Sequence, residues 1–248
     1  MAVYKRRQLT EFVLRYWAEL KERVSNDVPM DLWAALSPDD PHLDEFEHLC
    51  LELGWNYAVV DNHPLWTKWN GLVKAMRQSV AMQDVQGVLV MGSDDIANDA
   101  FVRGAWALLR SGVDYIQPTG CCMFHPESGR MSFLSAFQGG AGRVFSGNLC
   151  DRLNWKLWRD NPDMKSVDLW QEALVKGHKD DIRMTKFPIS VHGDWHMMDI
   201  KTSGGENMWD WEQFSPNHNI LTQWLDAGQT LESTFPGYFE AIEEEVAA

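Results

Sequence analysis

The sequence predicts an α/β fold, a single domain with a mostly parallel central sheet flanked by helices. Over about the first 95 residues, short apolar stretches alternate with amphipathic segments, which is the pattern of consecutive βαβ units. The chain has 248 residues, 45% hydrophobic and 23% charged, as expected for a globular protein with a substantial core. No internal repeat or low-complexity linker divides it, so we expect one continuous domain with a C-terminal elaboration.

Each predicted element follows from hydrophobic spacing and from the residues that end it. Met1–Tyr4 is typical of the end of a short strand, and the apolar residues from 9 to 24 recur at helical spacing. Turns rich in Pro, Gly, Asp and Asn separate the later elements. The same criteria predict strands at 28–36, 55–60, 88–91 and 113–124, and helices at 43–53, 65–76, 99–110, 146–158 and 167–177.

Charge and cysteine content narrow the possible functions. The formal net charge of −14, from 36 acidic and 22 basic residues, repels polyanions and disfavours general nucleic-acid binding. The four cysteines lack metal-ligand spacing, and we expect the vicinal Cys121 and Cys122 to be buried thiols. The sequence contains no secretory signal and no apolar run of the ~20 residues that a membrane span needs. We therefore expect a cytoplasmic location.

The stretch VQGVLVMGSDD, residues 85–95, places two carboxylates directly after a buried strand. Ligands of open α/β sheets bind at the carboxyl ends of the strands, and adjacent acids suit a divalent cation and a phosphate-bearing substrate. Alternatively, Ser93, Asp94 and Asp95 cap the following helix. A G-x-G-x-x-G fingerprint and a Walker P-loop are both absent, so any phosphates would be held by a metal and by side chains.

Polar residues in the second half allow similar pairs of interpretations. Asp168 is predicted near a helix N-terminus, where the helix dipole by itself stabilises a carboxylate. The Gly-rich loop at 138–143 either lets the backbone approach a ligand or is a plain connection. The segment 189–201 carries a compact polar set: His192, Asp194, His196, Asp199 and Lys201. If the segment is extended, the first three side chains share one face. These three residues either bind a metal or substrate or have a structural role.

Several of these motifs together resemble a known family. The order is a Tyr-x-x-Arg turn after the first strand, Ser-x-Asp after the second, the helix PLWTKWNGLVKAM, the strand ending in GSDD, the Gly-rich loop and the helix with Asp168. This order resembles the family-2-like, inverting GT-A glycosyltransferases, some of which are viral or phage enzymes. The resemblance covers roughly residues 1–205, with a nucleotide-sugar half at about 1–112 and an acceptor half at about 113–205. The tail after 215 matches nothing in this family, and we expect residues 206–248 to form a C-terminal extension packed on the domain.

The resemblance implies a role for each matching residue. The SDD sequence would be this chain's form of the DxD motif, with Asp95 binding Mn²⁺ or Mg²⁺ and Asp94 beside the ribose. Asp168 would be the general base that deprotonates the acceptor, and His196 or His192 would complete the metal shell. The other residues would bind the nucleotide sugar: Tyr4 in the first turn, Ser37 and Asp39 near the base, and Lys68 and Asn70 along the nucleotide pocket.

These observations predict a metal-dependent glycosyltransferase that moves a sugar from a nucleotide donor to a hydroxyl acceptor. The acceptor is a glycan, a small molecule or a hydroxymethylated base in phage DNA. Binding of DNA would require that a strip of basic residues gathers near the cleft: Lys5, Arg6, Arg7, Arg143, Arg152, Lys156 and Arg159. One alternative is a sugar-phosphate nucleotidyltransferase, although the N-terminus MAVYKRRQLT lacks the expected Gly-rich loop. Another is a non-catalytic sugar- or nucleotide-binding module in which tryptophans stack on rings.

Overall fold

The protein forms a mixed α/β structure with partly parallel sheets. The computed structural model describes residues 1–79, 85–135, 140–160, 171, 175–190, 194–202, 211, 222–236 and 242. The helices in these residues are α1 (Arg7–Val24), α2 (Leu43–Glu52), α3 (Leu65–Gln78), α4 (Asp99–Arg110), α5 (Gly147–Arg152) and α6 (Ala227–Thr234). The strands are β1 (Trp33–Leu36), β2 (Asn56–Val59), β3 (Gly87–Leu89), β4 (Asp95–Ala97), β5 (Tyr115–Thr119), β6 (Cys121–His125), β7 (Arg130–Leu134), β8 (Val144–Ser146), β9 (Met184–Pro188), β10 (Met197–Ile200) and β11 (Thr222–Leu225).

The first part of the chain folds as parallel strands joined by helices, as the sequence predicts. β1 pairs in parallel with β2. The N-terminal segment Met1–Val3 lies between β1 and the continuation of β3, because Ala2 makes parallel bridges to both Ala35 and Gly92. The order across this layer is therefore β2, β1, Met1–Val3 and β3, and the order reverses between the N-terminal segment and β3.

The second part of the chain makes the sheets mixed. The prediction of a mostly parallel sheet is therefore wrong outside the layer formed by β2, β1, Met1–Val3 and β3. One sheet has the order β3-β8-β5-β9 and another the order β11-β7-β6-β10-β4. β8 is antiparallel to both of its neighbours, and β6 and β7 form an antiparallel hairpin. For β6 and β7 the physical reason is the connection, because strands joined by a short turn can pair only in antiparallel fashion. The antiparallel pairs of β8 and β10 are long-range.

The single strand predicted at 113–124 is two strands in different sheets. Gly120 separates β5 from β6 and has φ +91°, a conformation that only glycine adopts without strain. A Cβ at this position would meet the carbonyl oxygen of Ile189 at 2.9 Å and the Phe133 ring at 3.0 Å. Periodicity alone did not reveal this break because both strands are apolar.

The helix predicted at 146–158 ends early. α5 stops at Arg152, and Asn154 and Trp155 then adopt left-handed backbone conformations with φ values of 50° and 58°. The Trp155 indole donates a hydrogen bond of 2.7 Å to Asp151 Oδ1. The apolar residues after Arg152 thus enter the core from a turn, which hydrophobic spacing does not distinguish from another helical turn.

Strands from both predicted halves share the sheets. β4 from the first half pairs with β10, and β3 pairs with β8. The described part of the predicted C-terminal extension also belongs to this body, since β11 pairs with β7. Its buried residues join the main core: Ala227, Leu231, Phe235 and Ile242.

The cysteine prediction is confirmed: all four cysteines are free thiols and buried. In the described ranges, no helix has both the length and the apolar character needed to cross a bilayer.

Helix α1 packs its apolar face behind the two carboxylates of the SDD sequence. Leu9, Phe12 and Val13 of this face are buried, and two polar tips reach strand β4. The Tyr16 hydroxyl donates to the Ala97 carbonyl at 2.6 Å, and the Trp17 indole donates to the Asp95 carbonyl at 3.0 Å. Both bonds are buried, so they fix the backbone that carries Asp95.

We expect Trp17→Phe to lower the free energy of unfolding by about 1–3 kcal/mol, because the buried Asp95 carbonyl loses its donor. Urea unfolding measures this loss. Trp55→Phe is the matched control, since the Trp55 indole donates to the buried Leu14 carbonyl. Hydrogen exchange at residues 95–97 should accelerate only in Trp17→Phe. Equal acceleration in both variants would contradict a local role for Trp17.

Candidate functional site

The candidate site lies where the strand order reverses. Met1–Val3 and the continuation of β3 are parallel neighbours, and the chain leaves them in opposite directions, toward β1 and β4. Such a switch point leaves a crevice at the carboxyl ends of the strands, which is where open α/β sheets bind ligands. Residues 4–6 follow the first strand and residues 93–95 follow the second, so both loops border this crevice.

Three carboxylates converge at this position. Asp94, Asp95 and Asp199 each offer an oxygen, and these oxygens lie within 4.8 Å of one another. Asp199 comes from β10, which pairs antiparallel to β4 and places Asp199 directly opposite Asp95. Directly opposite residues project from the same face of a sheet. The antiparallel register therefore assembles the group from segments about a hundred residues apart.

Two cations and a hydroxyl flank the carboxylates. The Arg6 guanidinium donates to Asp94 Oδ2 at 2.9 Å and to Ser93 Oγ at 2.8 Å. The Lys201 ammonium lies 2.7 Å from Asp199 Oδ2 and 3.9 Å from Asp94 Oδ2. Two positive charges thus face three buried or half-buried acids, which leaves the cluster one negative charge in excess when all three carboxyls are ionised.

The pKa values reflect this imbalance. Burial, followed by the Asp94 and Asp199 carboxylates, raises the pKa of Asp95 well above its ordinary value. Burial likewise raises the pKa of Asp199 to about 6, although Lys201 opposes the rise. Burial acts on Asp94 too, but Arg6 and Lys201 outweigh it and hold the pKa of Asp94 below its ordinary value. The site therefore disfavours the third negative charge unless another cation is present.

One oxygen of the cluster has no partner in the described part of the protein. Asp199 is only 7% exposed, and its Oδ1 atom accepts no hydrogen bond. An unsatisfied buried carboxylate oxygen is costly. Hard divalent cations prefer ligands of this kind, several carboxylate oxygens from different positions. The residues present thus fit a metal ion, and the group could hold one.

The capping interpretation of the SDD sequence is wrong. α4 begins at Asp99, and its cap is Asn98, whose side-chain oxygen accepts a hydrogen bond from the Phe101 amide at 3.0 Å. β4 lies between Asp94 and this helix. Asp95 instead accepts a hydrogen bond from the Gly92 amide at 2.7 Å, which closes the turn that aims the carboxylates into the crevice.

The first loop is a strained turn that aims Arg6 at the acids. Lys5 and Arg6 have φ values of 54° and 46°, a left-handed conformation that non-glycine residues rarely adopt. Hydrogen bonds hold it in place: the Lys5 amide donates to Asp40 Oδ2 at 2.6 Å, and the Thr10 hydroxyl donates to the Lys5 carbonyl at 3.1 Å. Strain of this kind concentrates at functional sites, and this turn supplies the cation of Asp94.

The residues predicted to bind the nucleotide form a second group beside this turn. The Tyr4 hydroxyl donates to Asp39 Oδ2 at 3.2 Å, and the Lys68 ammonium lies 5.4 Å from the Tyr4 ring centre. Lys68 is fully buried and donates to the Val3 carbonyl and the Ser37 hydroxyl. Tyr4 and Asp39 are thus accessible from the crevice, whereas Lys68 and Ser37 support it from below.

Two predicted site residues lie elsewhere. Both polar atoms of the Asn70 amide bind the backbone of Trp158, at 2.8 and 3.1 Å, so Asn70 joins α3 to the segment after α5. His196 is buried but does not belong to the carboxylate group found among the described residues. Asp199 is three positions further along an alternating strand, so the two side chains project from opposite faces.

The predicted base Asp168 and the alternative ligand His192 lie outside the described residues, as do residues 138 and 139 of the Gly-rich loop.

Four members of the predicted basic strip are buried or paired with other side chains. Arg143 is fully buried and donates to Gln171 Oε1 at 2.5 Å. Arg6 binds Asp94, Arg7 pairs with Glu45, and Lys156 pairs with Asp160. These contacts already compensate the charges of several basic residues that a nucleic-acid acceptor would need.

Sequence reasoning missed Arg6, Asp199 and Lys201 as site residues. Asp199 and Lys201 belong to the polar set noted at 189–201. Because side chains alternate between the two faces of a strand, these two residues lie on the face opposite His196. The pairing of β10 with β4, which brings Asp199 to Asp95, left no sequence signal.

Comparison with protein-family models finds no model that matches the chain, and comparison with curated proteins finds no match either. The functional assignment therefore depends on the geometry of the site.

We expect Mn²⁺ to raise the melting temperature of the protein and Asp95→Asn to abolish that rise. Without metal, Asp95→Asn should melt higher than the original chain, because it removes a carboxyl whose charged form is penalised by burial and by two acids. An amide oxygen can still accept the Gly92 hydrogen bond. Thermal unfolding with and without Mn²⁺ measures both effects.

Asp199→Asn should also lose the Mn²⁺ response, whereas the exposed Asp194→Asn should keep it in full. A normal Mn²⁺ shift in both Asp95→Asn and Asp199→Asn would show that the carboxylates do not bind the metal.

A separate prediction concerns Lys68. Burial lowers the pKa of Lys68 to about 8, below the ~10.4 of a lysine in an unfolded chain. Between these values the unfolded state binds more protons than the folded state, so the free energy of unfolding should rise with pH, by roughly 2 kcal/mol. Denaturant unfolding at pH 7.5–10.5 measures the slope. Lys68→Met should lack this contribution, and identical slopes would contradict it.

Proposed function

We propose that the protein is a metal-dependent glycosyltransferase that uses a nucleotide sugar as donor. The observation that carries the proposal is the carboxylate group at the switch point, with one buried oxygen of Asp199 left for a cation. The crevice is the position at which an α/β sheet binds a nucleotide. Since no Gly-rich phosphate loop precedes it, a cation held by acids is the available means of binding a diphosphate.

The residues divide into two groups with different tasks. Asp94, Asp95 and Asp199 would hold Mn²⁺ or Mg²⁺, and a bound cation would neutralise charge on the departing diphosphate. Tyr4 and Asp39 border the same crevice and would contact the nucleoside. Lys68 does not reach the ligand in this proposal. It binds the Val3 carbonyl and the Ser37 hydroxyl and so keeps the ends of two strands together.

The reaction would be a displacement at the anomeric carbon of the sugar. The acceptor hydroxyl would form the new C–O bond as the bond to the diphosphate breaks, and a carboxylate would take the hydroxyl proton. Asp168 is our candidate for that base, on the family resemblance alone. An attack from the face opposite the leaving group gives inversion.

Two other functions fit the site less well. A sugar-phosphate nucleotidyltransferase must bind a triphosphate, and the turn that follows Met1–Val3 contains no glycine, while its Arg6 is engaged with Asp94. A non-catalytic binding module gains nothing from an acidic group in which burial and neighbouring carboxylates raise the pKa values of Asp95 and Asp199, because such a group is unfavourable without a bound cation. A hydroxymethylated base in DNA is the acceptor with the least support, since the net charge is −14 and Arg6, Arg7 and Lys156 are paired with carboxylates.

We expect one class of nucleotide sugar to raise the melting temperature, and Mn²⁺ to enlarge the rise. A ligand that binds only the folded state stabilises it by mass action, so a panel of UDP-, GDP-, CMP- and dTDP-sugars and free nucleoside diphosphates needs no acceptor. Slow donor hydrolysis, measured as release of nucleoside diphosphate, should require the metal. Asp95→Asn should reduce it at least a hundredfold, and Asp194→Asn should not change it.

The alternatives give different outcomes in the same assays. Release of pyrophosphate from a nucleoside triphosphate and a sugar 1-phosphate would identify a nucleotidyltransferase. Sugar binding that survives Asp95→Asn with no turnover of any donor would identify a binding module. Failure of every nucleotide to shift the melting temperature would overturn the proposal, even if Mn²⁺ alone still binds.

A further inference from the structure

One face of the sheet β11-β7-β6-β10-β4 carries a row of side chains that leads from the acids to the edge strand β11. The register places Asp199 opposite Asp95 on β4 and opposite Met123 on β6. Ser132 of β7 lies opposite Met123, and Trp224 of β11 lies opposite Ser132. Directly opposite residues project from the same face of a sheet. The acids and Trp224 are therefore the two ends of one row.

The packing on the two faces of this sheet agrees with that assignment. The residues that alternate with the row join the main core on the other face: Phe124, Met131, Phe133 and Met198. Met123 instead packs with Leu134 and Trp211 in a separate cluster. The acidic site and the Trp211 indole thus share the face that is turned away from the main core.

The far end of the row is an exposed indole supported by a buried one. Trp224 is 41% exposed, whereas Trp211 is only 7% exposed, and their ring centres lie 5.9 Å apart. Trp211 stacks in turn on the His125 ring at 5.4 Å. The Arg130 guanidinium lies 5.6 Å from the centre of the Trp224 ring, and a hollow of about 410 Å³ opens beside these two side chains. We call Trp224 and Arg130, with Trp211 beneath them, the aromatic platform.

The register also gives the distance between the platform and the acids. β11 and β10 are three strands apart in the sheet, and neighbouring strands lie ~4.8 Å apart, so Trp224 is about 14 Å from Asp199 along the row. A single sugar placed at the acids would not reach the platform. A chain of several sugars would.

The composition of the platform fits a carbohydrate better than a protein. Among the described residues, Trp224 is the one large hydrophobic side chain of this sheet that is exposed, since the others lie on α2, β2 and β9: Leu51, Val59 and Met184. Protein partners require a contiguous apolar patch. A sugar ring has an apolar C–H face and a polar rim of hydroxyls, which matches one exposed indole bordered by a guanidinium.

We propose that the aromatic platform is a distal subsite for a carbohydrate acceptor, whose terminal sugar lies at the acids while a more distant sugar stacks on Trp224. This inference rests on the proposed function, because it takes the acids as the place of sugar transfer. It narrows the acceptor to an oligosaccharide or polysaccharide. The net charge of −14 is compatible with such an acceptor, which carries no phosphate backbone to be repelled.

The first test measures binding to the full chain without any donor. Calorimetric titrations use maltopentaose, cellopentaose, chitopentaose and mannopentaose, each beside its own monosaccharide. We expect one pentasaccharide to bind at least roughly tenfold more tightly than its monosaccharide, because it alone reaches the indole. Trp224→Ala should remove this advantage, and Trp224→Tyr should restore most of it. Met184→Ala is the matched control, since Met184 is also 41% exposed but lies in the other sheet.

The second test measures transfer from the nucleotide sugar that the thermal-shift panel identifies. The pentasaccharide should exceed its monosaccharide at least roughly tenfold in kcat/KM, and Trp224→Ala should reduce the ratio to about one. A normal ratio in Trp224→Ala, with Mn²⁺-dependent donor hydrolysis intact in the original chain, would overturn the subsite and leave the transferase standing.

Other outcomes separate the two proposals further. Failure of all four pentasaccharides to bind would overturn the subsite, whatever the donor assays show. Pentasaccharide binding through Trp224 without a response to any nucleotide sugar would overturn the transferase, and with it the acceptor role of the platform. A single-stranded DNA pentamer that binds through Trp224 in place of the sugars would overturn the carbohydrate assignment.

Discussion

Compensation of buried negative charge is the constraint on which the site depends. Asp95 and Asp199 are buried beside Asp94, and among the described residues Arg6 and Lys201 are the cations that offset the group directly. Taking a carboxylate out of water costs several kcal/mol unless a partner compensates it. Both cations therefore have to be delivered accurately, one by a left-handed turn after the first strand and one by the end of β10. The local backbone at both positions serves this electrostatic need.

The compensation is incomplete, and this is informative. A site evolved only for stability would replace one acid with an amide or pair the remaining oxygen of Asp199. Without a bound cation, two features of the site lower the stability of the fold. They are the raised pKa values of Asp95 and Asp199 and the strained turn at Lys5 and Arg6. A cation with oxygen ligands would recover that stability on binding. The unfavourable state without metal is thus a physical reason to expect one.

The sequence predicted what depends on local pattern and missed what depends on long-range pairing. The alternation up to Asp95 identified the parallel layer and the carboxyl end at which Asp94 and Asp95 lie, because each helix and strand there has its own periodicity. It did not predict that β4 and β10 pair, and so it chose His196 where the register places Asp199. It did not separate β5 from β6, since Gly120 interrupts an apolar run without changing its character. Lys68 was assigned to the right region but to ligand contact, because burial cannot be read from an isolated lysine.

The Met1–Val3 segment positions one of the two cations of the acidic site. Its carboxyl end leads into the turn that delivers Arg6 to Asp94. In the described residues it is held by bridges at Ala2, by ladder bonds with Ala35 and by the Lys68 ammonium on the Val3 carbonyl. So short a strand has few bonds with which to resist the strain of the turn that follows it. The hydrogen bonds that hold Met1–Val3 beside β1 therefore also fix the position of Arg6 against the carboxylates.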